Sequence, residues 1–126
     1  MEFSSHILQW YHNKRRDFPW RTTKNTYKIW LSEIILQQTR TSQGLSYYTK
    51  FTDTFPTLKD LAIVKEEKVL KLWQGLGYYS RARNLHTTAK HIHYNLKGVF
   101  PNNYEGLLKL KGIGPYTAAA ISSICF

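Results

Sequence analysis

The sequence predicts an all-α protein built as a single domain, and three observations carry that prediction. Apolar residues recur at helical spacing, and no stretch alternates as a half-buried strand would. Pro and Gly cut the chain into segments of helix length, each opened by a residue able to cap it. The length of 126 residues, with 42% hydrophobic and 15% aromatic content, suffices for one core but not comfortably for two.

Lys and Arg number 18 against 8 Asp and Glu, a formal +10. That excess predicts a polyanionic partner, either nucleic acid or an anionic membrane surface. A membrane surface is the weaker match, because no helix sets a continuous basic face against a large exposed apolar one. No apolar run reaches the length of a membrane span, and no signal-peptide pattern opens the chain. A soluble, intracellular, monomeric protein facing nucleic acid is the expectation. The single cysteine, Cys125, cannot form an internal disulfide or a metal site by itself and is expected to be a small apolar filler.

Ser4 or Ser5 can cap a first helix to about Lys14, with Ile7, Leu8, Trp10 and Tyr11 on one side. Pro19 in Phe18-Pro19-Trp20-Arg21 breaks it. Thr26 can cap a second helix, Tyr27 to about Arg40. A third covers Ser42–Thr52, with Leu45, Tyr48 and Phe51 on one side, and stops at Phe55-Pro56. Thr57-Leu58-Lys59-Asp60 has the shape of a capping box and starts a short helix through about Ile63. Lys65–Gln74 follows, with Val69, Leu72 and Trp73 inward, and Gly75-Leu76-Gly77 stops it. Ser80 can cap a long helix to about Leu96, with Leu85, Ala89 and Ile92 inward. Asn102 or Asn103 caps Tyr104–Leu110. Pro115–Phe126 is apolar and runs to the end of the chain without a stop signal. The total is roughly seven or eight short helices.

Three stretches could carry chemistry. In Trp30–Thr39 the apolar residues Trp30, Leu31, Ile34 and Ile35 mark a buried helix face, and one carboxylate, Glu33, stands among them. Loss of hydration there would raise its pKa and hold it neutral, the state a general acid needs. A Glu facing water at the edge of the stripe fits the same pattern. Leu110–Ala120 joins two helices through Gly112 and Gly114. Pro115 suits the first position of the second helix, whose free amides form an anion site that Lys109, Lys111 and the Thr117 hydroxyl can reinforce. An ordinary tight helix–helix turn is the alternative. In Gly75–Arg83, Leu76 and Tyr78 could wedge between bases while Arg81 or Arg83 meets phosphate; core packing of at least one of Tyr78 and Tyr79 is as plausible. The five histidines form no ligand set, and His86 and His91 are expected at the surface or at caps.

Phe18-Pro19-Trp20-Arg21, Trp30–Thr39, Gly75–Asn84 and Leu110–Ala120, in this order, resemble the N-terminal part of the MutY family of adenine DNA glycosylases, within the helix-hairpin-helix superfamily. The resemblance covers about residues 7–124. It implies a six-helix barrel over 18–126, truncated at its C-terminal end, with the helix-hairpin-helix at 104–124. It also implies an N-terminal helix at 1–17 that would pack on a cluster domain missing here. The implied activity is base-excision repair: removal of adenine mispaired with 8-oxoguanine or guanine in double-stranded DNA, by hydrolysis of the N-glycosidic bond. The implied place of action is the bacterial cytoplasm, in association with the nucleoid.

By position, Glu33 matches the acid that protonates the adenine, which must first be flipped from the stack, and Tyr116 matches a residue that positions and stabilises the reacting site. Trp20, Arg21 and Leu36 match the adenine pocket. Gln38, Thr39, Leu76 and Tyr78 match residues that probe the oxidised guanine and fill the vacated space. Lys111, Gly112, Gly114, Thr117, Arg81 and Arg83 are the expected phosphate contacts. Endonuclease III-like bifunctional enzymes carry a Lys nucleophile where Tyr116 stands, so a monofunctional glycosylase is implied.

Two features of the family have no counterpart. No acidic residue follows Glu105, so the carboxylate expected to stabilise a cationic sugar is absent. The four cysteines that hold the family's 4Fe-4S cluster are absent too, and no cofactor or metal is expected on this chain. These departures imply a fragment of little or no activity, and leave open a helix-hairpin-helix module that binds DNA without cutting it.

Overall fold

A computed structural model describes residues 25–37 and 41–126. The expected first helix, Trp20, Arg21, Gln38 and Thr39 lie outside the described residues. Within them the protein is all-helical: α1 Thr26–Leu36, α2 Thr41–Thr54, α3 Leu58–Ile63, α4 Glu66–Trp73, α5 Tyr79–Asn95, α6 Tyr104–Leu108 and α7 Pro115–Cys125.

The helix α1 is buried almost all round, from Tyr27 through Ile35 with only Lys28 partly exposed. Such a helix must be enclosed by others, and α2 and α7 pack directly against it. Its start is capped by Asn25, whose side chain accepts from the Lys28 amide at 3.2 Å. The expected cap, Thr26, is instead the first helical residue. The Tyr27 hydroxyl donates to the Phe55 carbonyl at 2.6 Å, tying the start of α1 to the end of α2.

In addition, α5 packs on α3 and α4, and α6 pairs with α7. Two aromatic contacts knit the halves of the core: Trp30 meets Phe100 edge-on at 5.5 Å, and Phe51 meets Trp73 at 5.9 Å. The capping box forms as expected, with Thr57 and Asp60 exchanging bonds. Asn103 caps α6 through the Gly106 amide, and Pro115 occupies the first turn of α7.

Three further expectations are corrected. Gln37 is extended (φ −64°, ψ 122°), so α1 stops at Leu36 rather than near Arg40, and Glu33 stands in its last turn. Ser80 does not cap α5; Tyr78 occupies that position in the left-handed region (φ 50°) with no side-chain cap. His86 is buried, not superficial. Its Nε2 has no partner, and burial, seconded by the Lys90 charge, pushes the imidazole below its ordinary range. The packed face of α5 therefore holds a neutral histidine.

Candidate active site

The last turn of α1 faces the first turn of α7. Residues four apart share a helix face, so Glu33 and Gln37 lie one above the other, toward the hairpin that delivers Tyr116 and Thr117. Glu33 is 4% exposed, and its Oε1 finds no hydrogen-bond partner. Desolvation alone raises its pKa from 4.5 to about 8, so the carboxyl is protonated at neutral pH. The bland sequence expectation, a carboxylate facing water, does not hold.

Tyr116 stands beside this acid. Burial pushes its hydroxyl up and the Glu33 charge adds to the shift; hydrogen bonds with Thr117 and Gln37 and the Arg81 charge oppose it. Gln37 Nε2 donates to Thr117 Oγ1 at 3.0 Å, bridging α1 to α7. The site thus holds a neutral acid with a free oxygen, a phenol and an amide anchored on two helices. Such a group can lend a proton to a basic leaving atom brought against it.

The hairpin between α6 and α7 needs its glycine. Gly112 has φ +81°, and a Cβ there would lie 3.0 Å from Asn84 Cβ on α5. The Thr88 hydroxyl donates to the Lys111 carbonyl at 2.6 Å, docking the turn on α5. Lys111, Gly112 and Pro115 are exposed and Gly114 partly so, which leaves the turn open on its outer side.

Of the expected phosphate contacts, Lys111, Gly112, Gly114 and Arg83 lie where a ligand could reach them. Thr117 does not: it is fully buried and engaged with Gln37. Nor does Arg81, whose Nη1 turns inward to the carbonyls of Ile34 at 2.9 Å and Gln37 at 2.7 Å. Arg83 is exposed and lies 3.9 Å from Glu66, a loose surface pair of little energetic weight. Leu36 is partly buried against the core, and Leu76 is buried within it; of the pair expected to wedge between bases, only Tyr78 is exposed, at 67%.

The turn that presents Tyr78 is held from below. Trp73 Nε1 donates to the Gly77 carbonyl at 2.8 Å, and Gly75 and Gly77 supply positive φ. A left-handed Tyr costs about 1–2 kcal/mol, and among the described residues only the Arg81 guanidinium, 5.7 Å from its ring centre, packs on it in return. Tyr78→Asn is expected to keep or slightly raise thermal stability, because Asn tolerates this conformation; calorimetry checks it.

Sequence reasoning missed Gln37 as the bridge and Arg81 as an inward group. The four-residue step from Glu33 was the available signal for Gln37; for Arg81 there was none, since a GlyTyrTyrSerArg turn reads equally as an outward cation. A pocket of about 70 Å³ lies between Trp30, Ile34, Gln37, Arg81, Asn84 and Lys111, well below the roughly 300–1,000 Å³ typical of ligand sites. A wider one, about 640 Å³, is lined by Tyr27, Leu58, His93, Phe100 and Phe126 among others and by none of the expected site residues. Among the described residues no group of His, Cys, Asp and Glu is placed to hold a metal, and no helix is long and apolar enough to cross a membrane.

The sequence profile of HhH-GPD superfamily base excision DNA repair proteins matches residues 31–122, which contain Glu33, the Gly75–Arg83 turn and the hairpin. The chain belongs to this superfamily. It is 47% identical over 125 residues to an adenine DNA glycosylase of Buchnera aphidicola, covering 98% of this chain and 36% of that protein. Adenine DNA glycosylases of Mus musculus and Homo sapiens are 42% identical over 133 residues, with 26% and 24% of their lengths covered. The chain therefore spans about a third or less of these curated relatives. In structure it is similar to a thermostable thymine-DNA glycosylase, with TM-score 0.80 and 31% identity over 98% of this chain and 57% of that one. An endonuclease III bound to DNA shares the fold at TM-score 0.74 and 18% identity, with 99% and 59% covered.

Proposed function

We propose that this chain is the helical-barrel part of an adenine DNA glycosylase acting on adenine mispaired with 8-oxoguanine or guanine in double-stranded DNA. The observation that carries the reading is the buried, protonated Glu33 with its unpartnered Oε1; the 47% identity to an adenine DNA glycosylase supports the choice of base. Once the nucleotide is flipped out, Glu33 gives its proton to the adenine leaving group as the N-glycosidic bond breaks. Tyr116 orients the acid and the sugar. Trp20, Arg21 and Leu36 shape the adenine pocket, and Gln38, Thr39, Tyr78 and the underlying Leu76 serve the opposing strand. Lys111, the amides at Gly112 and Gly114, and Arg83 hold phosphates. The protein works as a monomer in the bacterial cytoplasm, on nucleoid DNA.

A glycosidic cleavage also wants an anion beside the cationic sugar, and no acidic residue follows Glu105. The 126-residue chain is therefore expected to bind duplex but to excise adenine slowly or not at all. A four-thiolate cluster does not fit it either, since Cys125 is its only cysteine; the 4Fe-4S cluster belongs to the reading of a full-length relative. Excision from an A:8-oxoguanine duplex is the test. An ordinary enzymatic rate by this chain alone would overturn the need for a second carboxylate, and binding without excision by the full coding frame would favour a non-catalytic helix-hairpin-helix module.

Both readings share one expectation. Affinity for duplex should fall at least about tenfold between about 50 and about 200 mM salt, as phosphate contacts release counterions. A flat salt response in a filter or anisotropy titration would count against DNA binding in either form.

A further inference from the structure

Arg81 is the cation that the expected phosphate set loses, and its surroundings give it a different task. The helix α1 ends without a basic residue in its last turn, and Gln37 departs in extended conformation. The final carbonyls of such a helix need partners from elsewhere. Arg81, reaching across from α5, supplies them: one guanidinium nitrogen bonds both Ile34 O and Gln37 O. The cation also suits the negative end of the helix dipole. It is braced between the rings of Trp73, at 5.1 Å, and Tyr78, at 5.7 Å, and among the described residues no carboxylate lies within ion-pair distance of it.

The same short segment is gripped from the other side, where Gln37 Nε2 reaches Thr117 on α7. The turn held between α5 and α7 is the one that bears Glu33. We propose that Arg81 is the positioning residue of this site: by bonding the Ile34 and Gln37 carbonyls it keeps the last turn of α1 wound, and so keeps the Glu33 carboxyl buried beside Tyr116. The action is through the backbone. The cause of Glu33's shift is desolvation by burial. The value of this arrangement to catalysis rests on the reading of Glu33 as the acid; the arrangement itself does not.

The test is a carboxyl-carbon NMR titration of the 126-residue chain, with the Glu33 signal assigned by its loss in Glu33→Gln. The wild-type midpoint is expected near 8. In Arg81→Met the turn loosens, water reaches the carboxyl, and the midpoint should fall by about one pH unit or more toward 4.5 as desolvation is relieved. Arg81→Lys keeps the charge and one donor direction and should move it less. A purely electrostatic role predicts the opposite sign for Arg81→Met, because removing a cation disfavours the carboxylate. Thr57→Ala, which removes the side-chain cap of α3, controls for general loosening. An unchanged or raised midpoint in Arg81→Met overturns the proposal, as does an equal fall in Thr57→Ala. Should Arg81→Met fail to fold, the comparison of Arg81→Lys with Thr57→Ala decides by the same criterion. Adenine excision by Glu33→Gln, assayed on the full coding frame, is a separate arm: retained excision would remove the acid reading and leave the titration result standing.

Discussion

Glu33→Gln is expected to lower adenine excision by the full coding frame about 10²–10⁴-fold, the range that a positioned acid contributes, with duplex affinity nearly unchanged. Gln has the same outline as a protonated Glu but no proton to give. Single-turnover excision with saturating enzyme separates the chemical step from binding. The same substitution should change the pH dependence of stability, and here the sign matters. The carboxyl is raised from 4.5 unfolded to about 8 folded, so the folded state holds a proton that the unfolded chain releases between those values. Stability on this account is fully present below about pH 4.5 and is lost as pH rises through about 8. At about 1.36 kcal/mol per pH unit the loss is on the order of 5 kcal/mol. Glu33→Gln should flatten that slope, leaving the variant the more stable protein at pH 8–9 and the two alike near pH 5. Urea titrations across that range would read it, and a wild-type slope that the substitution leaves intact would mean that another group titrates.

What the sequence made legible follows the range of the interactions involved. The capping box at Thr57–Asp60, the Asn103 cap and the Pro115 start are local, each written in four or five consecutive residues, and all three form. The hydrophobic spacing of α5 likewise puts Leu85, Ala89 and Ile92 inside. The end of α1 was not legible, because Gln37-Gln38-Thr39-Arg40 contains no Gly or Pro. What fixes that end within the described residues is Arg81, more than forty residues away in sequence. His86 escaped for the same reason: only the packing of α5 on α3 and α4 decides that its face is dry. Glu33 is the instructive case. Apolar flanks left its environment undecided between buried and solvated, the motif order pointed to an acid, and the enclosing helices α2 and α7 make it neutral.

Trp73→Ala is expected to cost about 3–5 kcal/mol, the range for truncating a fully buried aromatic, a large part of the roughly 5–15 kcal/mol that holds such a domain folded. Its effect should exceed that of a generic cavity. Trp73 is fully buried against Phe51 on one side. At its other edge the indole N–H holds the Gly77 carbonyl, and the ring carries the Arg81 guanidinium. Removing it therefore frees the turn that forces Tyr78 into a left-handed conformation, and takes one brace from the cation that closes α1. Trp73→Phe separates these roles. Phe refills most of the core space but cannot donate to Gly77, so it should recover most of the thermal stability while leaving the turn unpinned. Amide exchange at Tyr78 and Tyr79 would then rise in Trp73→Phe nearly as far as in Trp73→Ala, although the melting temperatures differ widely. Exchange that tracked melting temperature alone would reduce Trp73 to a packing residue. The expected split makes it the link between the core and the two features at the site's edge: the exposed Tyr78 ring and the half-buried Arg81 clamp.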